Sequence, residues 1–131
     1  MYGYAKVSKT ERRDWARLME SYLKESVGRI MVVQIVDSKV GATDLDVQAW
    51  EYLCSLGIRP LVAATKADRL SRNQAKRAIG EIQRDLALAG EDVVISFSAR
   101  SGQGARELWA EIDRFVEAPV MKGAERGIDN G

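Results

Sequence analysis

Apolar positions along the chain alternate between two rhythms. Trp15, Leu18, Met19, Tyr22 and Leu23 recur at the three- and four-residue spacing of one helical face. Ser8-Lys9-Thr10-Glu11 before them reads as a capping box, and Gly28 after them as the stop. The next run, Ile30 to Val36, is almost unbroken in its apolarity and ends at Asp37, which predicts a strand covered on both faces. A loop holding Gly41 and Thr43 then leads into a helix carrying Leu45, Ala49, Trp50 and Leu53, stopped at Gly57. The cycle repeats with a short strand at Leu61-Val62-Ala63-Ala64 and a helix capped by Ser71 and Gln74, whose stripe is Ala75, Ala78, Ile79, Ile82 and Leu86. It repeats again with a strand at Val93 to Phe97 and a helix carrying Leu108, Trp109, Ile112, Phe115 and Val116, closed by Pro119.

Strict alternation of helix and strand predicts an α/β fold in which three parallel strands are joined by right-handed crossovers and flanked by helices. Three strands offer one interior position, so at least one edge must be unusually apolar and is a candidate for self-association. On their helical stripes, Trp15, Trp50 and Trp109 are expected to pack in the core, and Cys54 to act as a small buried hydrophobe.

Length and composition narrow the function. The 131 residues fit one domain, read as residues 1–118 with a flexible tail over 119–131. A formal net charge of +1 gives no global field for nucleic acid or membrane. One cysteine and no histidine exclude an internal disulfide, Cys/His zinc sites and histidine-based triads, and fit a cytoplasmic location. No apolar run is long enough to span a bilayer. No catalytic residue and no metal ligand is assigned. Arg69, Arg72, Lys76, Arg77 and Arg84 make one helix basic, which reads first as a solvated face and second as a surface for RNA.

In open α/β sheets ligands sit beyond the carboxyl ends of the strands, where this chain places Asp37 to Thr43, Thr65 to Asp68 and Ser98 to Gly102. Thr65-Lys66-Ala67-Asp68 resembles the guanine-specificity motif [N/T]-K-x-D of GTP-binding proteins. Its carboxylate can accept parallel hydrogen bonds from guanine N1–H and the exocyclic amine, and adenine has no such pair to offer. The stem of Lys66 can lie along a base face. Ser98-Ala99-Arg100 falls one strand later, at the place of an S-A-K-like loop; the Ala99 N–H is the expected donor to guanine O6, and Arg100 can cover the base in place of lysine. Asp37 at its strand end is expected chiefly to cap the following turn, with orientation of the nucleotide loop as the second reading.

These motifs, with Tyr2-Gly3-Tyr4-Ala5-Lys6-Val7-Ser8, Leu45-Asp46, Leu70-Ser71-Arg72 and Phe97-Ser98, make residues 2–117 resemble the EngB family of bacterial GTPases, in the Era-like, translation-associated group. The resemblance implies the C-terminal part of a P-loop GTPase (Ras-like) fold. In that family Tyr2-Gly3-Tyr4 follows D-x-P-G, so Tyr2, Gly3 and Tyr4 are read as a switch II remnant and Met1 as a truncation point. It further implies a guanine site of Thr65, Lys66, Ala67, Asp68, Phe97, Ser98, Ala99 and Arg100, with Thr65 and Ser98 tying the two loops together. GTP or GDP with Mg2+ would be the family's cofactors, a ribosomal subunit or rRNA its partner, and ribosome assembly and septation its roles. The chain contains no G-x-x-x-x-G-K-[S/T], and the family's Mg2+ ligands are absent from it, so GTP hydrolysis is not expected of it alone.

Overall fold

The computed structural model of the chain describes residues 9–117. The Ser8 cap, the Tyr2-Gly3-Tyr4 segment and the tail over 119–131 lie outside them. Helix α1 (Lys9–Glu25) is followed by β1 (Val33–Asp37), α2 (Asp44–Ser55), β2 (Leu61–Thr65), a 3-10 turn (Ala67–Arg69), α3 (Arg72–Asp85), β3 (Val94–Ser96) and α4 (Ala105–Glu117). The strands are parallel in the order β1-β2-β3, with Val33 opposite Leu61 and Ala63 opposite Ile95. The predicted fold class is the observed one.

The helices begin where local chemistry satisfies their first amides. At α3 the Ser71 hydroxyl accepts from Gln74 N at 3.1 Å, and Gln74 Oε1 accepts from Ser71 N at 2.9 Å. At α2 Thr43 and Asp46 form a second capping box, with bonds of 3.2 and 2.9 Å. The first ladder starts three residues later than the apolar run predicts. Leu61 N donates to Val32 O at 2.9 Å at this end of the ladder, and Val33 opposite Leu61 is its first register pair.

Central β2 is buried from Leu61 to Ala64, and the alanines let layers on both faces approach closely. One layer joins Val36, Val62 and Ala64 to Trp50 of α2 and to Ile82 and Leu86 beside them, with half-buried Cys54 packed against it. Two expectations fail here. Strand β1 is covered on one face only: Gln34 and Val36 are buried while Ile35 stands 65% exposed, because among the described residues nothing lies over that face of the edge strand. Trp50 is core, at 4% exposure, but Trp15 and Trp109 are 64% and 62% exposed. On α4, Leu108, Ile112 and Phe115 form the half-buried row, and Trp109, one residue round the helix, looks past it. Helix α1 has no fully buried residue among those described; Trp15, Leu18 and Tyr22 of its stripe are exposed and Leu23 is half-buried.

At the opposite end of the sheet from the three loops, Arg59 grips both oxygens of Asp92 and lies 5.6 Å above the Trp50 ring. Asp92 Oδ2 also accepts from Ala89 N at 2.7 Å. The Arg59 guanidinium, first among several causes, holds the Asp92 carboxyl below the usual carboxylate range. A depressed carboxyl stabilises the fold above its unfolded pKa, and the contribution is lost as pH falls through the folded value. The Asp92 side chain is only 3% exposed, whereas Arg59 at 45% can rehydrate when its partner is removed. Asp92→Ala is therefore expected to lower the unfolding free energy by about 2 kcal/mol at neutral pH. Urea titrations of parent and variant should converge in strong acid, and a gap that persists there would show that the carboxylate charge is not the cause.

Candidate functional site

The carboxyl ends of the strands release three loops, residues 38–43, 66–71 and 97–104. Backbone bonds draw them together by continuing the sheet ladder beyond its last paired residues. Ser38 N donates to Thr65 O at 3.0 Å, Phe97 N to Ala64 O at 2.8 Å and Ala67 N to Phe97 O at 3.0 Å.

Side chains then bridge neighbouring loops. Asp68 Oδ1 accepts from the fully buried Ser98 hydroxyl at 2.7 Å, and Ser98 Oγ in turn accepts from Ser101 N at 3.1 Å. The Ser98 hydrogen bond is the largest cause holding the exposed Asp68 carboxyl below its ordinary value, with Arg69 and Arg100 acting in the same direction. Asp68 is therefore a carboxylate at neutral pH, and one hydroxyl leaves most of its acceptor capacity facing solvent. On the other side, Lys66 Nζ meets Asp37 Oδ2 at 2.8 Å. The Ser38 hydroxyl donates to Thr65 O.

The eight residues expected around the base occupy these two loops, in different ways. Lys66, Asp68, Ala99 and Arg100 are exposed. Among the described residues the Ala99 N–H has no acceptor, which leaves it open to a ligand oxygen. Ala67 and Phe97 serve the site through their backbones. The expected tie between Thr65 and Ser98 is half corrected. Ser98 does link the loops, but to Asp68, while Thr65 Oγ1 reaches back to Val36 O at 3.4 Å because its strand pairs with β1 on that side. Asp37 caps its turn as expected, its Oδ1 accepting from Lys39 N at 2.8 Å and Val40 N at 3.3 Å.

Sequence reasoning missed two features. One is the Asp37–Lys66 bridge, which depends on β1 and β2 being neighbours. The other is Gly104, where an added Cβ would lie 2.2 Å from the Ser96 carbonyl oxygen. Its φ of +84° was the available signal that only glycine fits there comfortably, but it belongs to the fold and not to the letter. Among the described residues there is no group of three or more His, Cys, Asp or Glu that could hold a metal ion. No helix among them is long and apolar enough to cross a membrane.

The architecture is shared with solved structures. A probable GTP-binding protein engB superposes with a TM-score of 0.65 at 20% identity, covering 83% of this chain and 69% of that one. Translation elongation factor SelB from Methanococcus maripaludis gives 0.65 at 22% identity, covering 82% of this chain and 25% of that one. What these superpositions share with the chain is its fold, three parallel strands flanked by helices. No protein-family model matches the chain. Curated relatives do: the probable GTP-binding protein EngB of Pelotomaculum thermopropionicum is 43% identical over 115 residues, 88% of this chain and 58% of its own length. That of Anaeromyxobacter sp. is 42% identical over 128 residues, 94% of this chain and 59% of its own length. The chain belongs to the EngB family, and it spans less than two thirds of the length of these relatives.

Proposed function

We propose that the chain is the guanine-reading part of an EngB-type GTP-binding protein. The observation that supports this most directly is the ionised Asp68 carboxylate, fixed by Ser98 beside the open Ala99 N–H at the end of the central strand. In this reading Asp68 accepts from guanine N1–H and the exocyclic amine, Ala99 N–H donates to O6, and Lys66 and Arg100 frame the base. An adenine would leave the carboxylate without donors, and that loss supplies the discrimination. Lacking a G-x-x-x-x-G-K-[S/T] loop, these residues contact the base and not the phosphates, and the chain alone does not hydrolyse GTP. Service in assembly of the large ribosomal subunit and in septation follows from family resemblance. The exposed basic side chains of Arg72, Lys76, Arg77 and Arg84 on α3 are the surface that would meet rRNA.

Titration of the purified chain with a fluorescent GDP analogue tests the reading, with guanosine, GDP and ATP as competitors. Guanosine should displace the probe about as well as GDP, and ATP should not. Turnover, or GDP outcompeting guanosine by orders of magnitude, would mean that phosphate recognition is present after all.

A second reading is favoured by the uncovered Ile35 on β1, whose outer edge has no strand beside it among the described residues: the chain is a non-enzymatic interaction module that self-associates there. Light scattering distinguishes them, since a monomer at all concentrations argues against the edge contact.

A further inference from the structure

We infer that Asp37 is a positioning residue for the base site, holding the Lys66 side chain where a purine face must lie. The inference rests on the guanine reading above and adds to it a residue outside both base loops.

Lys66 has φ 62° and ψ 32°, the left-handed region in which a residue with a Cβ is uncommon. Such a conformation persists when the surroundings over-determine it. Here they do so at both ends of the residue. Lys66 O accepts from Arg69 N at 3.0 Å, closing the 3-10 turn that presents Asp68. Its Nζ lies 2.8 Å from Asp37 Oδ2. Asp37 is itself anchored, because its other oxygen takes the amides of Lys39 and Val40. The lysine stem is thus stretched between a fixed backbone and a fixed carboxylate. Left untethered, a four-carbon stem samples many rotamers, and fixing it on a ligand costs entropy at the moment of binding. With the ammonium already held by Asp37, that ordering precedes the ligand. The same anchor bears on the Asp68 turn, since Lys66 is the residue immediately before it.

The pair is half exposed, at 50% for Lys66 and 28% for Asp37, so the effect is modest and salt-sensitive. Guanosine, which is uncharged, is the suitable probe because its own binding carries no salt dependence of ligand charge. Asp37→Asn keeps an oxygen for the turn amides and removes the ion pair. It is expected to weaken guanosine binding about three- to fivefold, the range that an exposed pair supports. In a Lys66→Met background, which keeps an apolar stem, the same change should do nothing. Raising ionic strength should weaken the parent towards the variant. An NMR readout that needs no ligand accompanies this: the Lys66 Cε signal should shift in Asp37→Asn, with only a small fall in the unfolding midpoint. Asp37→Ser, whose hydroxyl can also cap the turn, is the companion variant should Asp37→Asn fold poorly.

Equal losses from Asp37→Asn with and without Lys66, or an unmoved Lys66 signal, would overturn the assignment while leaving the guanine reading intact. A parent chain that binds no guanosine while Lys66 still responds to Asp37 would overturn the guanine reading, and the positioning role with it.

Discussion

Asp68→Asn should exchange the preference of the base site from guanosine to xanthosine. The Ser98 hydroxyl can still donate to the side-chain oxygen at position 68, since an amide oxygen accepts as a carboxylate oxygen does. With that oxygen engaged, what meets the base edge is an NH2 group. Guanine presents donors there, so two donors face each other, whereas xanthine offers a carbonyl in place of the exocyclic amine and accepts from the new amide. Replacing a charge-assisted pair of bonds by a donor–donor conflict costs about 3 kcal/mol, a change on the order of a hundredfold in relative affinity. Competition of both nucleosides against the fluorescent GDP analogue measures it. If guanosine and xanthosine keep their parental ratio, Asp68 does not read the base.

Gly104→Ala carries the largest expected loss of stability. Its new Cβ would stand 2.2 Å from the Ser96 carbonyl oxygen and 3.1 Å from Ile95 Cγ2, while φ at +84° disfavours any side chain. A flexible side chain could move aside, but the contact is with backbone in β3, whose residues Ala63 and Ala64 of β2 pair against. Strain and overpacking together should destabilise the fold by about 3 kcal/mol or more. The damage should reach the base site as well, because Ser98 N donates to Gln103 O and Leu108 N to Gly104 O, so this glycine closes the third loop onto α4. Denaturant midpoints decide the matter; a variant as stable as its parent would show that β3 and the loop separate more freely than their contact distance implies.

What could be read from the letters was whatever is settled within a few residues or by a short periodicity. The Ser71 and Gln74 pair lies within one helical turn and appears as a capping box in both sequence and structure. The Thr65 to Asp68 and Ser98 to Arg100 loops fall at strand ends because the strands before them, Leu61 to Ala64 above all, are too apolar for anything else. Failure came where tertiary placement decides. Trp15 and Trp109 sit on stripes as regular as that of Trp50, yet a stripe states only that a helix has an apolar face, and not which neighbour, if any, covers it. Ile35 is as apolar as the fully buried Val36 beside it; alternation across the sheet and an uncovered face separate them. The Asp37 and Lys66 bridge and the tight seat of Gly104 join segments whose proximity exists only after the strands have paired in parallel.

The bridges between loops meet in one short stretch. Lys66 reaches to one neighbouring loop, Asp68 to the other, and Ala67 between them donates its amide to Phe97 O. Alternate residues of a single tight turn thus act as a clasp, and freeing either outer loop means releasing a contact made by the same three residues. Amides across all three loops should therefore open as one cooperative unit and not as three independent flaps. A ligand arriving at such a clasp meets a surface whose disorder was surrendered at folding, which is the condition under which a few well-aimed hydrogen bonds discriminate one base from another.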